Sequence, residues 1–570
     1  MGAGHQLHLV GESLIGWMVT DLMRGVNLLL TRPGVDKNRI ILIGSVAGGG
    51  DPAAVAAALD SRVAAVVPFN FGGPQPETVY PLPANAEVAF NYAGSGGWES
   101  TRNLRSSARD GFLPWVIIGA VAPRRLAYAH EFSWDSEHDP VWRRLQRIQG
   151  FYDAVDHLGP VYGRGVLRGR PPEATHCNNV GAVHRAIMYT LFARWFDMAV
   201  PDAEYQKRLP SERLRCRTPT LASEFRPVHE IAAELGSRHG QHLRDELRRM
   251  DKRQRRMELR HRWRDLLGRI EPPADPKRVS RSVRNVDGIG VERILLGVER
   301  EVLVPLLLLM PRASTSLRPP LVVAIAQSGK ESFLRQRSET IAALLEAGVA
   351  VLLPDVRGTG ETRPDTSRGR RSAATAISSS EMMLGKTLVG SRLFDLRAIL
   401  RFVRGRDDID VNQIALWGDS FAPVNSPDQE LDVPLDADPF PEHSEPLGGL
   451  LALLGALFED SVRAVYIHGG LVGYDSVLDS PFIYVPHDVV VPGALTAGSL
   501  SDLAASLAPL PMRLEALVDG LNRTVRAGQL NLVFKHTRAA YDEVHAGGRF
   551  RANERRGSSL AVARWIADQM

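Results

Sequence analysis

Short, fully apolar segments alternate with amphipathic segments along most of the chain. In the N-terminal part, a helix predicted over residues 15–30 precedes the apolar strand "NRIILIG". Two further apolar strands, "RVAAVVPFNF" and "RRLAYAHEF", follow, and an amphipathic helix is predicted over residues 184–198. Strands that are apolar at every position and alternate with helices indicate a parallel sheet covered on both faces. The pattern predicts an α/β domain over residues 1–205.

The same alternation restarts near residue 281. A β-hairpin is predicted in "VERILLGVEREVLVPLLLLMP", and "PPLVVAIAQSGK" has the pattern of a buried strand that ends in a loop of small residues. Helix, strand and loop follow in "SETIAALLEAGVAVLLPDVRGTGET", and "SSLAVARWIADQM" is predicted to be a closing helix. We predict a second and more complete α/β domain over residues 281–570.

Between the two domains, residues 206–280 have a different composition. From Arg238 to Arg269 there are twelve Lys and Arg residues and five Asp and Glu residues. Apolar residues recur among them at near-helical spacing. A nucleic-acid-binding arm and a solvated helical linker with i,i+4 ion pairs both fit this pattern, and the linker is the interpretation we adopt.

Length and composition limit the class of protein. A chain of 570 residues is too long for a single core, and 44% hydrophobic with 24% charged residues is typical of globular proteins. The two cysteines form neither a disulfide framework nor a CxxC zinc pair. We expect no metal and no cofactor. We see no apolar run of transmembrane length and no signal peptide, which leaves the compartment unknown.

The stretch "IALWGDSFA" at residues 414–422 suggests catalytic chemistry. A nucleophilic serine of the α/β-hydrolase type lies on a sharp strand-to-helix turn, here called the elbow, with small residues two positions before and after it. Gly418, Ser420 and Ala422 satisfy this spacing, although an ordinary turn also fits it. The backbone N–H of Phe421 is then one expected oxyanion donor, and the loop containing Gln327 and Ser328 is expected to supply the other.

The partners of Ser420 are less well defined. Asp519 follows a predicted strand and is our candidate acid, although it precedes a glycine and also fits a turn. The segment before the closing helix, where a base is expected, contains no histidine. His545 is our candidate base, and His536, His468 and His487 are alternatives.

After Ser420 the sequence departs from an ordinary elbow. An acidic, proline-rich segment begins with "PVNSPDQELDVPLDADPF", and the next helix is predicted at "LGGLLALLGALF". Such a segment does not form a regular helix. It fits a lid or substrate-binding loop, and it fits a relaxed, non-catalytic elbow equally well.

A second elbow-like stretch, "RIILIGSVAGGGD", lies near the N-terminus. We place Ala47 at the nucleophile position, because a register with Ser45 there puts Ile43 where a small residue is needed. Asp139 (with Asp135 nearby) and His176 follow as candidate acid and base. This domain therefore lacks a nucleophile, and we expect the chain to be an N-terminally shortened form of a longer protein.

Taken together, these stretches resemble acetyl xylan esterase-like proteins of the α/β-hydrolase superfamily, in a tandem form. The resemblance rests on "GSVAGGG", "APRRL" with "DPVW" and "HCNN" in the first domain, and on "DVRGTGET", "WGDSFAP" and "ALAPLPMRLEALVD" in the second. It implies hydrolysis of esters on plant polysaccharides by a Ser–His–Asp triad without a metal. It assigns Ser420 and Asp519 as nucleophile and acid of the second domain, and Asp139 and His176 as acid and base of the first.

The expected architecture is α/β: two α/β-hydrolase-like, doubly wound and mostly parallel sheets joined by a helical linker, the first N-terminally incomplete. The first functional hypothesis is a serine esterase acting on esterified carbohydrate through Ser420. The alternative is a pseudo-hydrolase that binds a glycan or a protein without turnover. We expect no nucleic-acid or membrane partner, and the sequence does not define the oligomeric state.

Overall fold

The computed structural model describes residues 2–72, 104–166, 180–204, 207, 209–216, 225–312, 318–364, 372–434 and 437–570. The chain divides into two compact units. The first comprises Ser13–Arg226 and Met382–Gly385, and the second comprises Gly2–Glu12, Pro227–Glu381 and Lys386–Met570. Each unit is described by itself below.

The first unit is built on a four-stranded parallel sheet in the order β1-β2-β3-β4. The strands are β1 (Ile41–Ser45), β2 (Ala65–Phe69), β3 (Arg125–His130) and β4 (Leu158–Tyr162). Helix α1 (Gly2–Leu9) belongs to the second unit; the helices of the first unit are α2 (Leu14–Leu30), α3 (Val46–Leu59), α4 (Pro114–Gly119), α5 (Pro140–Gly150), α6 (Ala182–Phe196) and α7 (Ser211–Leu214).

Burial on both faces explains the apolar strands of the first unit. All five residues of β2 are buried. One face packs against a cluster that includes Val26, Ile118 and Leu145, and the other packs against the α6 residues Met188 and Phe192. This two-sided core is what a parallel sheet with helices on both faces requires.

The second unit contains a nine-stranded sheet in the order β13-β12-β11-β10-β8-β9-β7-β6-β5. Its pairs from β13 to β9 are parallel, and β5, β6 and β7 pair antiparallel with their neighbours. The strands are β5 (Lys277–Val286), β6 (Ile289–Glu299), β7 (Val302–Met310), β8 (Leu321–Ile325), β9 (Ala350–Pro354), β10 (Ile414–Gly418), β11 (Val462–His468), β12 (Met512–Glu515) and β13 (Phe550–Asn553).

Helices cover both faces of this sheet and extend beyond it. They are α8 (Val228–Leu247), α9 (Lys252–Leu267), α10 (Lys330–Gln336), α11 (Ser338–Glu346), α12 (Ala373–Met383), α13 (Leu388–Arg404), α14 (Leu447–Phe458), α15 (Leu500–Ser506), α16 (Ala527–Val533), α17 (Lys535–Glu543) and α18 (Ser559–Ala567). The mostly parallel α/β architecture predicted from the sequence is therefore confirmed.

The basic segment predicted as a linker over residues 206–280 has a different role. Its two long helices, α8 and α9, belong to the second unit, where Leu243, Leu259 and Trp263 are buried. Arg256 and Arg260 donate hydrogen bonds to the backbone at the end of α14. These helices are thus part of the second unit, because their apolar stripe packs on its core while most of the charges stay in solvent.

No single helix in the described ranges is long and apolar enough to cross a membrane. One bent pair, residues 487–496 and 500–506, passes a length and composition test with a bend of 70°. Nearly all of its residues are buried inside the second unit.

Candidate functional site

Ser420 lies at the edge of the second sheet where the parallel strands end, here called the carboxyl edge. It follows β10, which has β8 on one side and β11 on the other. The chain passes from β8 to β9 on one side and from β10 to β11 on the other, so the direction of the connections reverses between β8 and β10. Open α/β sheets usually bind ligands at such a reversal. The Ser420 side chain lies against Gly469 in the loop after β11, and 8% of the residue is exposed.

Next to Ser420, the carboxylate of Asp419 collects several donors. Arg337 binds it through Nε and Nη2 at 2.8 and 2.9 Å, and the Ser420 N–H donates to it at 2.8 Å. His468, the last residue of β11, places Nδ1 2.8 Å from Asp419 Oδ1. Burial alone would raise the pKa of the Asp419 carboxyl, but hydrogen bonds from His468 and Arg337 hold it below its ordinary value.

This contact fixes the tautomer of His468. A carboxylate oxygen only accepts hydrogen bonds, so Nδ1 carries a proton in this contact, and Arg337 Nη2 lies 3.3 Å from the same nitrogen. An Asp–His pair of this kind is the arrangement that prepares a general base in serine hydrolases. However, Ser420 Oγ forms no hydrogen bond with His468 or with any other residue that the structure describes.

The acid and the base predicted for Ser420 have other roles. Asp519 closes a turn: its Oδ1 accepts the N–H groups of Leu521 and Arg523, both at 2.9 Å. His545 is exposed, has a left-handed φ of 54°, and follows the end of α17. Because it precedes β13, which runs parallel to β12, it lies at the opposite edge of the sheet from Ser420. The prediction of His545 as the base is therefore wrong, and Asp519 acts as a turn residue.

The elbow of the second unit is interrupted between its strand and its helix. In the first unit, a Cβ on Gly44 would lie 2.0 Å from the carbonyl oxygen of Gly49, in the first turn of α3. In the second unit, a Cβ on Gly418 would lie 2.3 Å from the carbonyl oxygen of Gly448, in the first turn of α14. The two close approaches are equivalent, but the glycines are five residues apart in the first unit and thirty in the second. The insertion separates Ser420 from the helix that would normally follow it directly.

Glu445 occupies the helix side of this interrupted elbow. It is three residues before Gly448, as Val46 is three residues before Gly49. Its buried carboxylate accepts the Phe421 N–H at 3.0 Å and the Ser328 hydroxyl at 3.3 Å, both through Oε2. The Phe421 N–H, one of the two oxyanion donors expected from the sequence, is thus already bonded to a carboxylate of the protein itself.

Two further features weaken anion stabilisation at Ser420. The residue after Glu445 is Pro446, which has no N–H to donate. Phe421 and the residues after it are not helical, so the helix dipole expected behind Ser420 is absent there. Ser420 is also not among the described residues with a positive φ.

The first unit retains the elbow geometry without a nucleophile. Val46, not Ala47, is at the turn, because it follows β1 directly and has a left-handed φ of 54°. Gly44, Val46 and Gly48 therefore match the hydrolase spacing, with valine in place of serine. The predicted register was one residue too far along the chain, and a valine in this position cannot act as a nucleophile.

The predicted acid of the first unit has a structural role. Asp139 is fully buried, caps α5 through the N–H groups of Val141 and Trp142, and accepts hydrogen bonds from Tyr128 and Trp134. Burial raises the pKa of its carboxyl, against those hydrogen bonds. The predicted base, His176, lies outside the described residues. In the parts of the chain that are described, no group of three or more His, Cys, Asp or Glu side chains could hold a metal ion.

Comparisons with known proteins find only distant structural similarity. No protein-family model and no curated protein matches the sequence. Among solved structures, a protein assigned as an acetyl xylan esterase from Bacteroides fragilis is 15% identical over 53% of this chain and 75% of its own, with a TM-score of 0.40. A glucuronoyl esterase from Solibacter usitatus is 11% identical over 51% of this chain and 80% of its own, with a TM-score of 0.34. A glucuronoyl esterase from Teredinibacter turnerae is 10% identical over 52% of this chain and 77% of its own, with a TM-score of 0.33. Carbohydrate esterases are thus its structural neighbours, at values too low for function to be transferred from them.

Glu445 is not among the residues predicted for this site, and His468 is only a remote alternative for the base. A signal for Glu445 was present in "SEPLGG", which leads into α14 as "SVAGGG" leads into α3. Both segments have paired glycines at the start of a helix that packs closely on a strand. The signal for His468 was its position at the end of an apolar strand next to β10.

Proposed function

We propose that this chain is a pseudo-hydrolase: an esterase-like α/β protein that binds a glycan or a protein partner without turning it over. The observation that carries the proposal is the contact of the Glu445 carboxylate with the Phe421 N–H and the Ser328 hydroxyl. That contact occupies the donors on which ester hydrolysis at Ser420 would depend.

The chemistry follows from charge. Attack of a serine on an ester places negative charge on the former carbonyl oxygen, and preorganised N–H donors typically stabilise it by about 3–4 kcal/mol. A carboxylate on the same donors removes that stabilisation and repels the developing charge. Ser420 Oγ, moreover, has no hydrogen-bonded base within the described residues, and a serine hydroxyl is a weak nucleophile without one.

The ligand class is suggested by the family resemblance of the sequence, namely an acylated plant polysaccharide. Its expected place is the carboxyl edge around Ser420. This assignment is separate from the inactivity, which is argued from the surroundings of Ser420.

The test compares hydrolysis of p-nitrophenyl acetate by the full chain and by Ser420→Ala and His468→Asn. We expect equal rates for all three proteins. Affinity electrophoresis in gels containing acetylated xylan, with deacetylated xylan as the control, measures binding independently. A rate that falls at least a hundredfold in Ser420→Ala would contradict the pseudo-hydrolase, and equal migration in both gels would contradict acylated xylan as its ligand.

A serine esterase is the second candidate, favoured by the Asp419–His468 pair. In this mechanism His468 Nε2 takes the Ser420 proton and Asp419 orients the ring. It requires the Glu445 carboxylate to leave Phe421 N–H when substrate binds. It predicts that Ser420→Ala and His468→Asn each lower kcat about a thousandfold or more, with little further loss in the double variant.

A further inference from the structure

The basic helices of the second unit enclose one side of a cavity of about 290 Å³. Helices α8 and α9 form that side, and α15 and α17 form the other. The lining residues of α15 and α17 lie shortly before β12 and β13. The cavity therefore lies at the amino edge of the sheet, opposite the carboxyl edge that contains Ser420.

Its lining combines positive charge with an apolar floor. The cations are Arg244, Arg248, Lys252 and Arg255, against two carboxylates, Asp502 and Glu543. The floor is formed by small and branched apolar side chains, among them Leu247, Leu259, Ala505, Ala508, Ala540 and Val544.

The charges of this cavity are not balanced internally. Arg244 pairs with the buried Asp502 at 3.1 Å, and Arg255 lies 3.4 Å from Glu543. Arg248 pairs with Asp245 at the surface, where both side chains are about two-thirds exposed and the pair contributes little. The Lys252 ammonium forms no ion pair with any described residue. Desolvation and the neighbouring Arg256 lower the pKa of the Lys252 ammonium, although the residue is exposed at the surface.

We propose that this cavity binds a small amphiphilic anion, with a carboxylate or phosphate head at Lys252 and Arg248 and a short apolar tail on the alanine and leucine floor. A volume near 300 Å³ is at the small end of ligand pockets, and an apolar lining with a few convergent polar groups is their usual composition. Lys252 is also the first residue of the sixteen-residue helix α9; the Asp251 carboxylate already caps that helix, so the head group relies on the side-chain cations. This site is separate from the proposed function at the carboxyl edge.

Isothermal titration calorimetry on the full chain tests the proposal with octanoate, octyl phosphate and neutral 1-octanol. We expect a dissociation constant on the order of 0.1 mM for at least one of the two anions and at least tenfold weaker binding of the alcohol. The ratio of the two anions identifies which head group is preferred. Equal affinity for octanol, or no binding of either anion at millimolar concentration, would overturn the proposal.

Three variants locate the binding. Lys252→Gln is expected to weaken anion binding roughly three- to tenfold, whereas Lys277→Gln, an exposed lysine on β5, leaves it unchanged. Ala540→Trp fills the floor and is expected to abolish binding of the tail. Thermal melting verifies that each variant is folded. If Lys252→Gln and Lys277→Gln bind alike, the assignment of the head-group site is wrong.

Discussion

Glu445 Oε2 accepts a hydrogen bond from the backbone nitrogen of Phe421 at 3.0 Å, across twenty-four residues of sequence. The strand half of the elbow ends at Ser420, and the helix half begins at Glu445. Joining them through this contact keeps α14 packed against β10 while an insertion separates the two. The same contact uses the Phe421 N–H, which is therefore not free to bind another anion.

The first prediction concerns the stability of this joint. Glu445→Ala leaves the partly buried Phe421 N–H without its acceptor, and we expect a loss of about 1–3 kcal/mol in the free energy of unfolding. Glu445→Gln retains an acceptor of the same shape and is expected to lose less than half as much. Urea denaturation measures both, and equal losses would show that the hydrogen bond to Phe421 contributes little.

The sequence predicted the architecture well because parallel strands buried on both faces are apolar at every position. The strands β1, β2 and β10 were predicted in this way, as was the helix that contains His184.

The elbow geometry was harder to predict. In the first unit, "GSVAGGG" allows more than one residue to occupy the nucleophile position. The left-handed backbone φ shows that this residue is Val46, whereas the sequence predicted Ala47. In the second unit, the contact between Gly418 and Gly448 spans thirty residues and cannot be read from local spacing.

The base could not be predicted for a similar reason. The sequence defines the order of elements, and that order places the expected histidine just before the closing helix. The histidine that the fold brings to the elbow is instead His468 at the end of β11, which contacts Asp419. Strand adjacency places His468 beside Asp419, and adjacency in a parallel sheet depends on the topology of the whole sheet.

The second prediction tests the close approach at α14. A Cβ on Gly448 would lie 2.4 Å from the carbonyl oxygen of Ile325 and 2.6 Å from that of Asp419. Both atoms belong to the backbone and cannot move away cheaply, so Gly448→Ala is expected to destabilise the protein by about 2–4 kcal/mol.

Gly528 is the matched control for that change. Gly528 lies in α16, and no atom lies within 4 Å of the position that a Cβ would take there. Gly528→Ala is therefore expected to raise the free energy of unfolding by up to about 1 kcal/mol. Thermal unfolding of both variants gives the comparison. If Gly448→Ala unfolds at the wild-type temperature, α14 does not pack on β10 as described.

The third prediction concerns Val46. A β-branched residue with a φ of 54° is strained by about 1 kcal/mol, and asparagine tolerates that conformation better. Val46→Asn is expected to raise the free energy of unfolding by about 0.5–1 kcal/mol. Val55→Asn, in the same helix but partly packed on its core, is expected to lower it. Losses of equal size in both variants would exclude a left-handed conformation at Val46.

The last prediction is a pH dependence that arises in the first unit. His130, at the end of β3, is buried between Tyr128 and Trp134, and its Nε2 has no hydrogen-bond partner among the described residues. Burial lowers the pKa of this imidazole from 6.5 to about 3. The folded state therefore holds His130 neutral, whereas the unfolded chain takes up a proton below about pH 6.5.

Because the unfolded state binds more protons, the free energy of unfolding falls as the pH decreases from about 6.5 towards 3. At pH 5 the loss from this residue relative to pH 7 amounts to about 2 kcal/mol. His130→Phe keeps an aromatic ring against Trp134 and removes the titration, so its unfolding free energy is expected to vary less over this range. His545→Gln, which removes an exposed histidine, is expected to retain the wild-type slope. A His130→Phe slope equal to that of the wild type would mean that the imidazole is not held neutral in the folded protein.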